Sequence, residues 1–116
     1  MAYTPLILSS STVGRPVVID ALSSPGTLVH TVATATAAIE DIFLDAWNTA
    51  TNDALLTVEL GATGEARQIT ANLTTRAGPY RIVAGARLAG DAGVVIRAFA
   101  TATGIIRIAG GGNRSL

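Results

Sequence analysis

The chain has 116 residues, 49% of them apolar, 4% aromatic and 14% charged; eight arginines balance eight acids, and there is neither lysine nor cysteine. That is the length of one domain, long enough to bury a core of Ala, Val, Ile and Leu without disulfides. The lack of cysteine excludes thiolate catalysis and Cys-ligated metals, and a neutral chain without a basic cluster is a poor binder of nucleic acid. No apolar run approaches the roughly 20 residues of a membrane helix, and the N-terminus does not read as a signal peptide. A mean hydropathy of +0.48 with so little charge implies that other subunits cover part of the surface.

Residues 1–22 read as an extended N-terminal arm. Pro5 and Pro16 oppose helix, Ser9-Ser10-Ser11-Thr12 favours irregular backbone, and Leu6-Ile7-Leu8 and Val17-Val18-Ile19 are strand-prone. Ser23-Ser24-Pro25-Gly26 is a turn signal. Thr27 to Val32 is a first β-branched segment, and Ala33 to Ala38 is an Ala/Thr run of ambiguous type. Ile39 to Asn48 fits two periods. A helical stripe would join Ile39, Ile42, Phe43, Ala46 and Trp47; a strand would set Ile42, Leu44 and Ala46 against Asp41, Phe43, Asp45 and Trp47. The Thr-rich flanks favour the strand.

Leu56, Val58 and Leu60 alternate with Thr57 and Glu59, and Ile69, Ala71 and Leu73 alternate in the next segment. Tyr80 to Val83 is a short strand, and Gly85 to Gly93 carries little apolar pattern. Val94, Ile96 and Ala98 oppose Val95, Arg97 and Phe99, and Ile105 to Ala109 is the last strand before a Gly-rich flexible tail, 111–116. Turn signals about every 8–12 residues predict an all-β chain, an antiparallel β-sandwich of jelly-roll or Ig-like type over 23–110.

Catalytic equipment is sparse. The lone His30 sits on a strand pattern and reads as an outward or hydrogen-bonded residue, with no serine in a Gly-x-Ser-x-Gly elbow. Glu40, Asp41 and Asp45 read as solvated or paired with arginine rather than as a hard-cation site. Gly110–Gly112 lacks the Lys-Ser/Thr of a phosphate loop. No catalytic residue, cofactor or metal is expected. The scattered arginines, Arg97 and Arg107 among them, read as solvated charges or as partners for acids across subunits.

Leu28-Val29-His30-Thr31, the run from Ile39 to Asn48, Leu55 to Gly61, Val95 to Ala98, Ile106 to Gly110 and Asn113-Arg114 carry a resemblance. Over residues 26–114 the chain resembles small structural proteins of tailed bacteriophages. The resemblance implies a non-enzymatic virion β-sandwich, in the capsid or the tail.

The expected function is a capsid decoration or cement protein that binds the major capsid protein lattice and itself, as a homo-oligomer with a trimer favoured. It would be assembled in the host cytoplasm and located in the virion. The alternatives are a tail or fibre-base component, or a surface module binding carbohydrate or a receptor. Neither nucleic acid nor membrane is an expected partner. The candidate interface residues are Leu6, Ile7, Leu8, Val17, Val18, Ile19, Phe43, Trp47, Arg97 and Arg107. The arm is expected to reach onto a neighbour, so that deleting residues 2–16 would spare the sandwich and weaken assembly.

Overall fold

Period-two alternation settles the 39–48 segment. In the computed structural model, which describes residues 3–11, 14–32, 39–61, 68–74, 79–89 and 94–115, it is a strand with Glu40, Ile42, Leu44, Ala46 and Asn48 buried and the residues between them turned outward. All regular structure among the described residues is β. The strands are β1 (Tyr3–Ile7), β2 (Val17–Ile19), β3 (Thr27–Thr31), β4 (Ile39–Asn48), β5 (Ala54–Leu60), β6 (Gln68–Leu73), β7 (Tyr80–Ala89), β8 (Val95–Ala100) and β9 (Ile106–Ser115).

They form two antiparallel sheets packed face to face. One has the order β1-β9-β4-β7, with β2 also against β9; the other has the order β3-β8-β5-β6. The pairs β1/β2 with β9, β3 with β8, β4 with β7 and β5 with β6 are nested, as in one long hairpin rolled over itself. That connectivity is a jelly roll, not an Ig-like sandwich. The core between the sheets is aliphatic. Ile19, Ile42, Leu44, Leu56, Val58, Ile96, Ile106 and Ile108 are fully buried, each contributing about 1.5–3 kcal/mol.

The segment set apart by sequence as an arm is part of this sandwich. β1 pairs Tyr3–Ile7 with Ser115–Gly111, and β2 pairs Val17–Ile19 with Ile108–Ile106. They are two pieces of one edge strand, separated by residues 8–16. Leu6, Leu8, Val17 and Ile19 alternate inward and join the core. Just after β1 the chain reaches the other sheet, where Ser10 N–H donates to the Val29 carbonyl at 3.3 Å and Thr31 N–H donates to Ser9 Oγ at 2.7 Å. The edges of β1/β2 and β3 are thereby joined along one flank of the sandwich.

The Gly-rich end is likewise strand, to Ser115, rather than a tail. A side chain on Gly110 would meet the Phe43 carbonyl, one on Gly111 the Leu6 carbonyl, and one on Gly112 the Asp41 carbonyl. Glycine here lets β9 lie between β4 and β1 at close approach. Such a run carries no alternation, so its pairing was not visible in the sequence. β7 also runs further than the short strand expected, through Gly85 at φ +93°, a conformation that favours glycine. The Ala33–Ala38 run lies outside the described residues, as do most of the turn after Gly61, residues 75–78 and residues 90–93.

Candidate functional site

Two regions hold side chains that core packing does not explain: a buried polar cluster at one end of the sandwich and the outer face of the β1-β9-β4-β7 sheet.

The cluster forms where β3 ends, β4 begins and β9 ends. The inward register of β4 carries Glu40 into the space between the sheets, opposite Arg114 of β9, and β3 brings His30 from the other sheet through a register shift between Leu28 and His30. His30 and Glu40 are fully buried. Ser9 N–H donates to His30 Nδ1 at 2.9 Å. A backbone amide can only donate, so the ring proton lies on Nε2, which donates to Glu40 Oε1 at 2.6 Å. Arg114 Nε donates to Glu40 Oε2 at 2.8 Å. The carboxylate is thus compensated by a charged donor and a neutral one, the condition for burying it. Both imidazole nitrogens are committed, so in this arrangement His30 has no nitrogen left to take a proton from a nucleophile.

Two further polar groups act as joints. Asn48, also in the inward register of β4, donates from Nδ2 to the carbonyls of Asn52 at 2.6 Å and Leu73 at 3.2 Å, linking the sheets at the opposite end. Glu59 lies on the outward register of β5 yet is buried. Its carboxylate accepts Ser24 Oγ–H at 2.7 Å and Gly26 N–H at 2.8 Å, holding the β2–β3 turn. Arg97, beside it on β8, donates to the Gly26 carbonyl at 3.1 Å. Among the described residues no buried side-chain nitrogen or oxygen lacks a partner, and no group of three His, Cys, Asp or Glu could hold a metal ion.

The outer sheet face is built differently. β9 contributes Ala109 and Gly111, which stand opposite Asp45 and Phe43 of β4; Gly111 also stands opposite Ile7 of β1. At these two positions β9 offers the outer face only small residues. Ile7 at 59% exposure and Phe43 at 36% flank Gly111, and Val18 at 38% stands opposite Arg107 on the same face. Trp47, half-buried, faces Arg107 across the strands, and Arg107 donates to the Gly104 carbonyl at 2.6 Å. Beyond Phe43, Arg81 forms a two-point contact with Asp45 at 2.8 and 3.3 Å and lies 5.4 Å from the Phe43 ring centre. The Asp45 hydrogen bond, then its charge, raises the Arg81 guanidinium above its usual range. Arg87 pairs with Asp41 at 2.9 Å.

The sequence-derived interface set therefore divides. Leu6, Leu8, Val17 and Ile19 belong to the chain's own core, because period two turns them inward. Ile7, Val18, Phe43, Trp47 and Arg107 come together on one outer face, and Arg97 lies on the other sheet. Sequence reasoning missed Glu40 and Glu59 as buried groups. The signal for Glu40 was its place in the inward register with Ile42, Leu44 and Ala46. Compared with protein-family models, with curated proteins and with solved structures, the chain finds no match.

Proposed function

We propose that the chain is a non-enzymatic virion structural protein that decorates the capsid and binds the major capsid lattice through the outer face of the β1-β9-β4-β7 sheet. The observation that carries the reading is that exposed Ile7, Val18 and Phe43 share that face with the small residues Ala109 and Gly111. Exposed apolar residues gathered on one face of a chain with 14% charged residues suit packing against another protein. The jelly roll supports the reading by analogy, being common in capsid proteins, though lectins and cupins share it. The phage resemblance over 26–114 points the same way. Self-association, with a trimer favoured, belongs to the same proposal.

The test is quantitative mass spectrometry of purified particles from the genome that encodes the chain. Hundreds of copies per particle support decoration, a handful indicates a tail or fibre-base part, and absence from particles overturns the proposal. A second reading, a carbohydrate- or receptor-binding module, draws on Phe43 and Trp47 on one strand face, with Arg107 opposite Trp47. Binding to a glycan array that is lost in Trp47→Ala would favour it.

A further inference from the structure

Residues 8–11 are fastened to β3 by a hydrogen bond that tolerates only one protonation state. Ser9 N–H points at His30 Nδ1 from 2.9 Å. A second ring proton would place an N–H against an N–H at that distance. One of the two must move, and the surroundings decide which. His30 is buried at 1% exposure and its Nε2 is held by the equally buried Glu40, whereas Ser9 is on the surface.

The charge balance acts in the same direction. Among the described residues the charged groups facing the ring are Glu40 from β4 and Arg114 from β9, which already compensate one another at 2.8 Å. The neighbour opposite His30 on β8, Ile96, and the one opposite Glu40 on β7, Leu88, are apolar. The one carboxylate at the ring already serves both Arg114 and Nε2.

We infer that the Ser9–His30 contact is a proton-sensitive latch: protonation of His30 ejects Ser9 and lifts residues 8–11 off β3. The sign follows from linkage. The latched form has no place for a proton on Nδ1 and the unlatched form has one, so acid favours release and neutral pH favours docking. Release also undoes the Thr31 N–H to Ser9 Oγ and Ser10 N–H to Val29 carbonyl bonds. It uncovers Leu8, now 1% exposed, and opens the edge of β3. The inference concerns only this chain's own fold and does not depend on the function proposed above.

Because His30 is the only histidine, its ring nitrogens are observable by NMR without ambiguity. The experiment follows the ring nitrogen shifts and site-resolved amide exchange of the intact chain from about pH 8 to about pH 4.5. The expected result is the Nε2–H form at the upper end. As the ring protonates, protection at Ser9, Ser10 and Thr31 falls relative to Val58 by up to about tenfold per pH unit, the slope of one linked proton. H30Q, which has no second proton to gain, is expected to show no such fall. Four outcomes overturn the inference: a ring still neutral at about pH 4.5, ring protonation with Ser9 and Thr31 still protected, a ring proton on Nδ1 at neutral pH, or loss of Val58 protection in the same step. The wild-type titration decides the matter whether or not H30Q folds.

Discussion

Glu59 accepts the Gly26 N–H at 2.8 Å from a side chain rooted on the outward register of β5, with β8 between the two strands. A carboxylate with the parity of a solvated residue is instead what holds the β2–β3 turn against the sheet. Removing it strands a backbone donor and the Ser24 hydroxyl. Glu59→Ala is expected to cost about 1–3 kcal/mol, the penalty for leaving a buried polar group unpaired. Ser24→Ala, which leaves the Gly26 bond intact, should cost less. Urea denaturation of the two variants checks the order.

A methyl group at Gly111 would stand 2.5 Å from the Leu6 carbonyl oxygen. Backbone on both sides cannot yield as a side-chain tip can. Gly111→Ala is expected to lose about 3 kcal/mol, the upper part of the usual range for point changes. The loss should appear first as faster amide exchange in β1, with β5 and β8 protected. Equal effects in all three strands would contradict the close-approach account.

The core prediction is simpler. Ile42 and Ile96 are fully buried on facing sheets. Ile42→Ala and Ile96→Ala are each expected to cost about 2–5 kcal/mol, the removed atoms plus the cavity left behind. Thermal melts give the comparison.

On the outer face, Ile7→Ser should change the stability of the isolated chain by no more than about 0.5 kcal/mol, and Phe43→Ser, which also loses the Arg81 contact, by about 1 kcal/mol. With this sheet face as the binding face, both should abolish attachment to particles measured by co-sedimentation. Unchanged attachment would move the contact elsewhere.

The Arg81–Asp45 pair allows a pH expectation. Asp45 raises the guanidinium above an already high range, and stability from a raised group is lost only as pH climbs through that raised value. No accessible alkaline step is therefore expected from it. With Arg81 and Asp45 both solvent-facing, Arg81→Ala should leave the melting temperature nearly unchanged in 0.5 M salt, where surface pairs are screened.

Much of the sheet architecture was legible because aliphatic alternation is a physical consequence of having one dry face. Leu56/Val58/Leu60 and Val94/Ile96/Ala98 placed β5 and β8, and Ile42/Leu44/Ala46 outweighed the helical stripe in β4. Three things were not legible. Gly110–Gly112 has no side chains to alternate, so half of β9 read as tail. The arm read as seeking a neighbour because nothing local says that residues 3–7 pair with 111–115; deleting residues 2–16 would in fact remove Leu6 and Leu8 from the core. The polar cluster was half legible. Glu40 lies in the inward register, but its partners Arg114 and His30 are 74 and 10 residues away, and only the fold brings them together.

The nesting of the pairs imposes a timetable. β5 and β6 can meet as soon as both exist, whereas Tyr3 must wait for Ser115. Ribosomes add about 5–20 residues per second, so the interval is on the order of 5–20 s. Throughout it Leu6, Leu8, Val17 and Ile19, all destined for the interior, have no sheet to join. The first strands made are the last to be covered, which makes the newborn chain a client for holding factors rather than a self-sufficient folder. A ribosome-bound chain stalled before Ile106 is expected to be cut readily by protease near Leu8, and to become resistant there once β9 has emerged.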